Sequence, residues 1–402
     1  MDNAATSFPK PRSVHEAMSR YAMQSGASPG RGGYEEARAI GAIILECRQR
    51  LCELINGQRP ESIVFTSNCT EALNLAIKGL IDPRASSGPD SDLPHAICTH
   101  TDHNSILRPL TAMAERGWIE QTRVPIDPTS GRVDPEDIRR AIRRSTRLIA
   151  ITHGSNVTGA VQPIREIGRI AREAGVPFVV DAAQTIGHIP IDVRADCIDL
   201  LAAPGHKLLL GPSGTGFLYL RPGMEKIVRP LKEGGTGSLS EEPRQPEIMP
   251  DRYESGSLNA IGLVGLLEGV KWVMEQTVEK LAAQDKDLIR VFIEGVSGVE
   301  GLSYFGPQGV RDRIGVFSVR LEGVSAADLS TALEQHYGIL TRAGLHCAPL
   351  VHRAIGTADI GGTTRFSFGP FLSKQDVRFA TDALAQIAAA HAQATRPTNP
   401  IG

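Results

Sequence analysis

Apolar residues fall along the chain in two rhythms. Short blocks at residues 62–66, 96–99, 147–152, 178–180, 200–203 and 217–220 are rich in Ile, Val, Leu, Ala and Phe. Blocks of that length without alternation read as strands covered on both faces. Between them come stretches with apolar residues every three or four positions. Ala37, Ile40, Ile44, Leu45, Leu51 and Leu54 form one stripe, so residues 34–55 are expected to be a helix. A second helix starts at about residue 67, straight after the first block, and runs through Lys78. A third spans 164–174 and closes at Gly175, which suits the left-handed position after a helix end. A fourth covers 258–279, with Leu263, Leu266, Leu267, Val270 and Val273 facing inward.

Strands alternating with helices predict an α/β fold, a mostly parallel sheet with helices on both faces. Beyond the fourth helix, the block at 315–320 and the alternation over 362–368 predict a smaller α/β C-terminal domain. The expected layout is an N-terminal arm at 1–14 packing with the small domain, and a large domain at 15–257. A linking helix at 258–284 and the small domain at 285–402 follow. Pro9 and Pro11 keep the arm extended. Residues 26–33 form a mobile, glycine-rich loop that could face a ligand; 82–93 a polar loop; 124–133 an exposed turn between strands. Residues 211–216 carry a hairpin signal, 234–250 form a long polar loop of the kind that contacts a partner or serves function, and the tail after His391 frays.

The strand ends carry the chemistry. In open α/β sheets, ligands bind beyond the carboxyl ends of the strands. The block at 178–180 ends on Asp181, with Gln184 just beyond, and the block at 200–203 ends in Pro204-Gly205-His206-Lys207. An acid and a lysine so placed suit pyridoxal phosphate: the lysine holds it as a Schiff base and the acid pairs with the pyridinium nitrogen. A helix cap and a surface lysine are the plain alternative. His103 and Asn156 also follow strand blocks. His103 is as much a structural histidine as a ring to stack on a flat cofactor. Ser67 to Thr70 turns a strand into a helix, which is either an ordinary N-cap or an anion site.

Composition narrows the field. Of 402 residues, 41% are hydrophobic and 22% charged, and the net charge is −2, which makes no case for a nucleic-acid or membrane surface. No apolar run approaches the roughly 18 residues of a membrane span. The start of the chain lacks the basic and apolar regions of a signal peptide, so the cytoplasm is expected. The six cysteines form no CxxC pair, and a reducing compartment suits them. Cys47 and Cys52 fall in a helix; Cys347 falls in a loop with Arg342, His346, His352 and Arg353 nearby, a setting that favours a thiolate. An inert loop cysteine is the alternative. Arg365 sits within a strand-like alternation and needs an anion, either a substrate carboxylate or a structural acid.

Taken in order, DNAAT at Asp2, TEALN at Thr70, DHNS at Asp102, SNVTG at Ser155, DAAQ at Asp181, GHK at Gly205, GGTGS at Gly234, RAGLHCAP at Arg342 and TRFSFG at Thr364 span nearly the whole chain. This ordered set resembles the cysteine desulfurases and selenocysteine lyases of the class V aminotransferase group. The RxGxHCA form of the cysteine loop is similar to the branch with a short, ordered loop. The resemblance implies fold type I, with a large domain of the seven-stranded type, pyridoxal phosphate as cofactor and a homodimer.

It also implies roles. Lys207 holds the cofactor and moves the substrate's α-proton. Asp181 pairs with the ring nitrogen, Gln184 and Asn156 approach the phenolic oxygen, and His103 stacks on the ring. Cys69 (through its N–H), Thr70 and His206 hold the phosphate, with Thr236 reaching in from a second subunit. Arg365 binds the substrate carboxylate, with Asn156 nearby, and Cys347 is the nucleophile. The implied reaction converts L-cysteine to L-alanine, with sulfur passing to Cys347 as a persulfide and on to an acceptor protein. A selenocysteine lyase or a cysteine or cystine C–S lyase is the alternative, and a non-catalytic binding module is the third reading. No metal is expected. Pro204 stands where relatives carry a phosphate-binding serine, Phe371-Leu372-Ser373 where they often have Asn-Thr.

Overall fold

A computed structural model describes residues 1–29, 32–81, 92–239 and 241–395. Most of the polar loop expected at 82–93 and the tail beyond 395 therefore lie outside the described residues. The chain runs α1 (Arg12–Gln24), α2 (Glu35–Leu54), β1 (Ile63–Thr66), α3 (Cys69–Leu80), β2 (His95–Thr99), α4 (Asn104–Glu115), β3 (Glu120–Val124), α5 (Pro135–Ala141), β4 (Thr146–Thr152), α6 (Ile164–Glu173) and β5 (Phe178–Asp181). Then come β6 (Leu200–Pro204), β7 (Gly216–Leu220), α7 (Ala260–Gln276), α8 (Val278–Val296), β8 (Leu302–Tyr304) and β9 (Val316–Leu321). The chain closes with α9 (Ala326–Tyr337), β10 (Arg342–Gly344), α10 (Pro349–Ala354), β11 (Thr363–Ser367) and α11 (Lys374–Thr395).

The large sheet has seven strands in the order β1-β7-β6-β5-β4-β2-β3. The strands β3, β2, β4, β5 and β6 are parallel to one another, and β7 is antiparallel to both its neighbours. Successive residues of the six apolar blocks feed different cores, which is why those blocks are apolar throughout. Phe178 and Val180 pack with Ile40, Ile167 and Leu263 from α2, α6 and α7. Val179 packs with Leu73 and Leu110 from α3 and α4. This is the α/β architecture expected, with two corrections of detail. Leu45 faces solvent, off the buried stripe of α2. Residues 125–134 connect β3 to a helix, not to a strand, and bury Ile126 and Val133.

The second sheet is antiparallel, in the order β10-β11-β9-β8. Phe292 of α8 packs on Phe317, Phe366 and Phe368 there, in a core separate from those of the large sheet. The helix expected over 258–279 is two helices. It breaks at Thr277, whose φ is 62° and whose side chain accepts the N–H of Lys280 to cap α8. The break falls where the buried face changes core: Leu266 and Val270 belong to the large sheet, Leu288 and Phe292 to the small one.

The first residues form an extended strap, followed by α1, a helix the apolar pattern conceals because Val14 is its single buried residue. Asp2 bridges to Ser367 at the end of β11, and Ala4 N–H donates to Ser367 Oγ at 2.9 Å. Farther along, Ser7 Oγ donates to the carbonyls of His206 and Lys207 at 3.1 and 2.7 Å. The strap thus touches both sheets' functional edges.

Candidate active site

Five strand ends converge on one cleft. Asn68, Cys69 and Thr70 follow β1; His103 and Ser105 follow β2; Gly154 and Asn156 follow β4; Ala183 and Gln184 follow Asp181 of β5; His206 and Lys207 follow β6. Of the residues the sequence singled out, Cys69, Thr70, His103, Asn156, Asp181, Gln184, His206 and Lys207 line it. Thr236, Cys347 and Arg365 are not part of that lining.

Asp181 is 2% exposed. Its Oδ1 accepts the N–H of Ala183 at 2.9 Å and the thiol of Cys69 at 3.4 Å. Among the described residues it has no ion-pair partner, and an ionised carboxylate buried without a cation is costly. Burial pushes the Cys69 thiol well above its ordinary value, and Asp181 adds to the effect. Cys69 is therefore a hydrogen-bond donor to Asp181, a role the sequence did not suggest. Lys207 is shifted the other way. Desolvation lowers its pKa, Arg365 and Arg342 reinforce this, and Asp181 and Cys69 oppose it.

His103 is the N-cap of α4. Its Nδ1 accepts the N–H of Ser105 at 3.1 Å, which in the neutral ring leaves the proton on Nε2. Desolvation holds its pKa down against Asp181, with help from Lys207 and Arg342. Ser105 Oγ lies 2.9 Å from that nitrogen and 2.8 Å from Thr70 Oγ1, so a line of polar atoms joins the α3 and α4 starts. Behind them Asp102 accepts the N–H groups of Thr99 and Thr152, both at 2.6 Å, and so ties the ends of β2 and β4 together. Burial raises the Asp102 pKa to about 7 despite these bonds. Asn68 accepts the N–H of Glu71, which leaves those of Cys69 and Thr70 as the donors at the mouth of α3.

Other predicted residues have partners within the chain. Gln184 Nε2 donates to Ala4 O at 3.0 Å, so its amide nitrogen is held by the strap. His206 meets Thr6 Oγ1 at 3.1 Å, and desolvation, then Lys207 and Lys10, lower its pKa to about 4. Thr236 Oγ1 bonds within its own loop, to Ser238. Asn156 Nδ2 donates to His346 O at 2.6 Å, while its Oδ1 is buried without a partner.

Cys347 arrives from the other domain. It is half-buried, whereas the other five cysteines are buried. His346 and Cys347 take φ values of 51° and 59°, two successive left-handed residues without a glycine. Such conformations cost about 1–3 kcal/mol each and persist only where surroundings fix them. Here Asn104 N–H donates to Cys347 O at 2.9 Å, and the buried His346 ring meets Thr363 Oγ1 at 3.2 Å and lies 5.4 Å from that of His352. Arg342 NH2 lies 3.5 Å from Cys347 Sγ. Arg342 and Arg365 are direct partners across β10 and β11, so they share a face. Arg365 is 1% exposed. Its NH2 donates to Asp2 Oδ1 at 2.6 Å and its NH1 to Asn156 O at 3.2 Å; its Nε has no partner. The structural acid thus exists, and it is Asp2.

The model of the family described as aminotransferase class-V matches residues 1–379. The chain belongs to the aminotransferase class-V family. A probable cysteine desulfurase from Methanothermobacter thermautotrophicus is 33% identical to this class-V chain over 96% of its length and 94% of the relative. The apo structure of a cysteine desulfurase from Thermococcus onnurineus superposes with a TM-score of 0.89 at 30% identity, covering 97% of this chain and 94% of that one. The Escherichia coli cysteine desulfurase CsdA, in its S-sulfonic acid form, superposes with a TM-score of 0.85 at 26% identity, covering 97% and 94%. The family match runs from the strap into α11 and so includes both sheets and the cysteine turn. Among the described residues no helix is long and apolar enough to cross a membrane, and no cluster of three or more His, Cys, Asp or Glu is arranged to hold a metal.

Proposed function

We propose that this class-V chain is a cysteine desulfurase that uses pyridoxal phosphate. It takes L-cysteine to L-alanine, holds the sulfur on Cys347 as a persulfide and passes it to a protein acceptor in the cytoplasm. One observation carries the reading. The turn bearing Cys347 is hydrogen-bonded through two successive carbonyls, to Asn156 and to Asn104, onto a cleft that holds Asp181 and Lys207.

The residues present fit the cofactor. Asp181 is a buried carboxylate with no ion-pair partner among the described residues, and a protonated ring nitrogen would supply one. The mouth of α3, with Thr70, Ser105 and His206, suits a phosphate. Pro204 offers no hydroxyl, and Thr70 and Ser105 of the same cleft are side chains that can supply one. Thr236, from a second subunit in a homodimer, would complete that end.

When bound, pyridoxal phosphate supplies an electron sink for bond-breaking at the substrate's α and β carbons. The chain's own residues do the rest. Arg365 binds the substrate carboxylate. Lys207, its pKa lowered by burial, is the amine that takes the α-proton. Asp181 would pair with the ring nitrogen of the bound cofactor, and the His103 ring would cover its face. Cys347 attacks the substrate sulfur: an S–S bond forms, the Cβ–S bond breaks, and its electron pair returns to the carbon skeleton, which is protonated to alanine. Arg342 NH2 lies 3.5 Å from Cys347 Sγ, beside the sulfur that makes this attack.

The test is Cys347→Ala incubated with L-cysteine. The expected result is loss of both persulfide and alanine while the protein keeps the visible absorbance of bound cofactor. Full-rate alanine production from the variant would overturn the reading, and pyruvate in place of alanine would make the chain a β-lyase.

A further inference from the structure

Arg365 already faces a carboxylate of its own chain. Asp2 holds it by one bond, from NH2, at 2.6 Å. The Nε–H shares that edge of the guanidinium and is buried with no partner. A free carboxylate can take Nε–H and NH2 together, as two parallel bonds, where Asp2 takes one. The burial is equally lopsided. The Arg365 side chain is 1% exposed and that of Asp2 is 30% exposed, so the acid lies on the solvent side of the pair. Losing Asp2 without replacement would leave a buried guanidinium unpaired beside Arg342, its partner across the strands. Exchange of one carboxylate for another avoids that cost.

We propose that Asp2 is a specificity-determining residue of the carboxylate subsite: a resident competitor that yields to the substrate carboxylate and sets the concentration at which substrate binds. The inference rests on the reading that Arg365 receives that carboxylate. It favours substrates whose carboxylate can span both donors, and it couples binding to the strap. Two residues on, Ala4 O holds Gln184, and Thr6, Ser7 and Lys10 hold the carbonyl of His206. Displacing Asp2 loosens the start of a segment that ends at the peptide of Lys207.

The experiment compares cofactor-loaded wild-type protein with Asp2→Asn, Asp2→Ala and Arg365→Lys. KM and kcat for L-cysteine are measured, with calorimetric binding of the product L-alanine. Relief from an internal competitor lowers both KM and the L-alanine Kd by about five-fold in the Asp2 variants, and KM changes by more than kcat. Hydrogen exchange over residues 1–8 of the wild type rises when L-alanine is added. An unchanged or raised KM in Asp2→Asn, with Arg365→Lys still raising KM, overturns the inference and makes Asp2 a strut. An unchanged KM in Arg365→Lys overturns the carboxylate reading of Arg365 and the inference with it. Exchange that does not rise in protein saturated with L-alanine also overturns the competitor role.

Discussion

Two cysteines serve this site from opposite sides, and they differ in nearly every physical respect. Cys69 opens α3, is buried, and gives its thiol proton to Asp181. Cys347 ends a strained turn after β10, is half-buried, and has a guanidinium 3.5 Å from its sulfur. Burial and a neighbouring carboxylate keep the Cys69 thiol protonated, whereas Cys347 faces a guanidinium and is more open to solvent. The same side chain is thus a structural donor in one domain and a candidate nucleophile in the other. What distinguishes them is the sign of the neighbouring charge and the access to solvent, and neither is written in the residue type.

The contrast can be tested from its strongest element down. Asp181→Ala removes the anion on which the Cys69 side depends. Turnover of L-cysteine should fall by about 10²–10³-fold, as for loss of a preorganised charge, while alkylation of Cys347 proceeds at its wild-type rate. In the native protein iodoacetamide should modify Cys347 more than about ten-fold faster than Cys69, read by peptide mass spectrometry. Equal rates would erase the distinction. Asn104→Pro is gentler. Proline is tolerated at the first position of α4, so the change removes the N–H that holds Cys347 O and little else. It should cost about 0.5–1.5 kcal/mol of stability and slow persulfide formation without weakening cofactor retention.

The smallest effect is in pH. Burial, with Arg365, His352 and Arg342, depresses the His346 pKa to about 2, and burial depresses that of His352 to about 4. In the unfolded chain both take up protons near pH 6.5. Stability held by these neutral rings is present above that value and is lost as pH falls from about 6.5 toward about 4 and below. Cys69 is raised, so its contribution is lost in the other direction, as pH rises above the ordinary thiol value of about 8.5. Protection factors from hydrogen exchange should therefore fall first over residues 342–349 in acid and first over residues 67–73 in base.

The sequence disclosed the strand-end residues well, because sheet topology alone brings them together. Asp181, Lys207, His103 and Asn156 each terminate an apolar block, and parallel strands deliver such termini to one edge. Ser105 and Asp102 were hidden because their roles depend on neighbouring elements: Ser105 bonds across to Thr70, and Asp102 clamps two strands. The break at Thr277 was hidden too, since an apolar stripe continues through it while the core it faces changes. Asp2 was the hardest to read. Its partner lies 363 residues away, and no local pattern encodes a separation of that kind.

That separation bears on the order in which the molecule can be made. Met1 and Asp2 leave the ribosome long before residue 367. The carbonyl of Met1 accepts the N–H of Ser367, and Asp2 pairs with Arg365. Until β11 emerges, Met1 and Asp2 lack these partners, even though every strand of the large sheet is already complete and offers Gln184 and His206 to residues 4–10. The nascent chain therefore passes through a stage in which the large sheet is complete and Met1 and Asp2 are unfastened. The fastening of Met1 and Asp2 thus follows the large sheet, and it coincides with the arrival of Cys347 and Arg365.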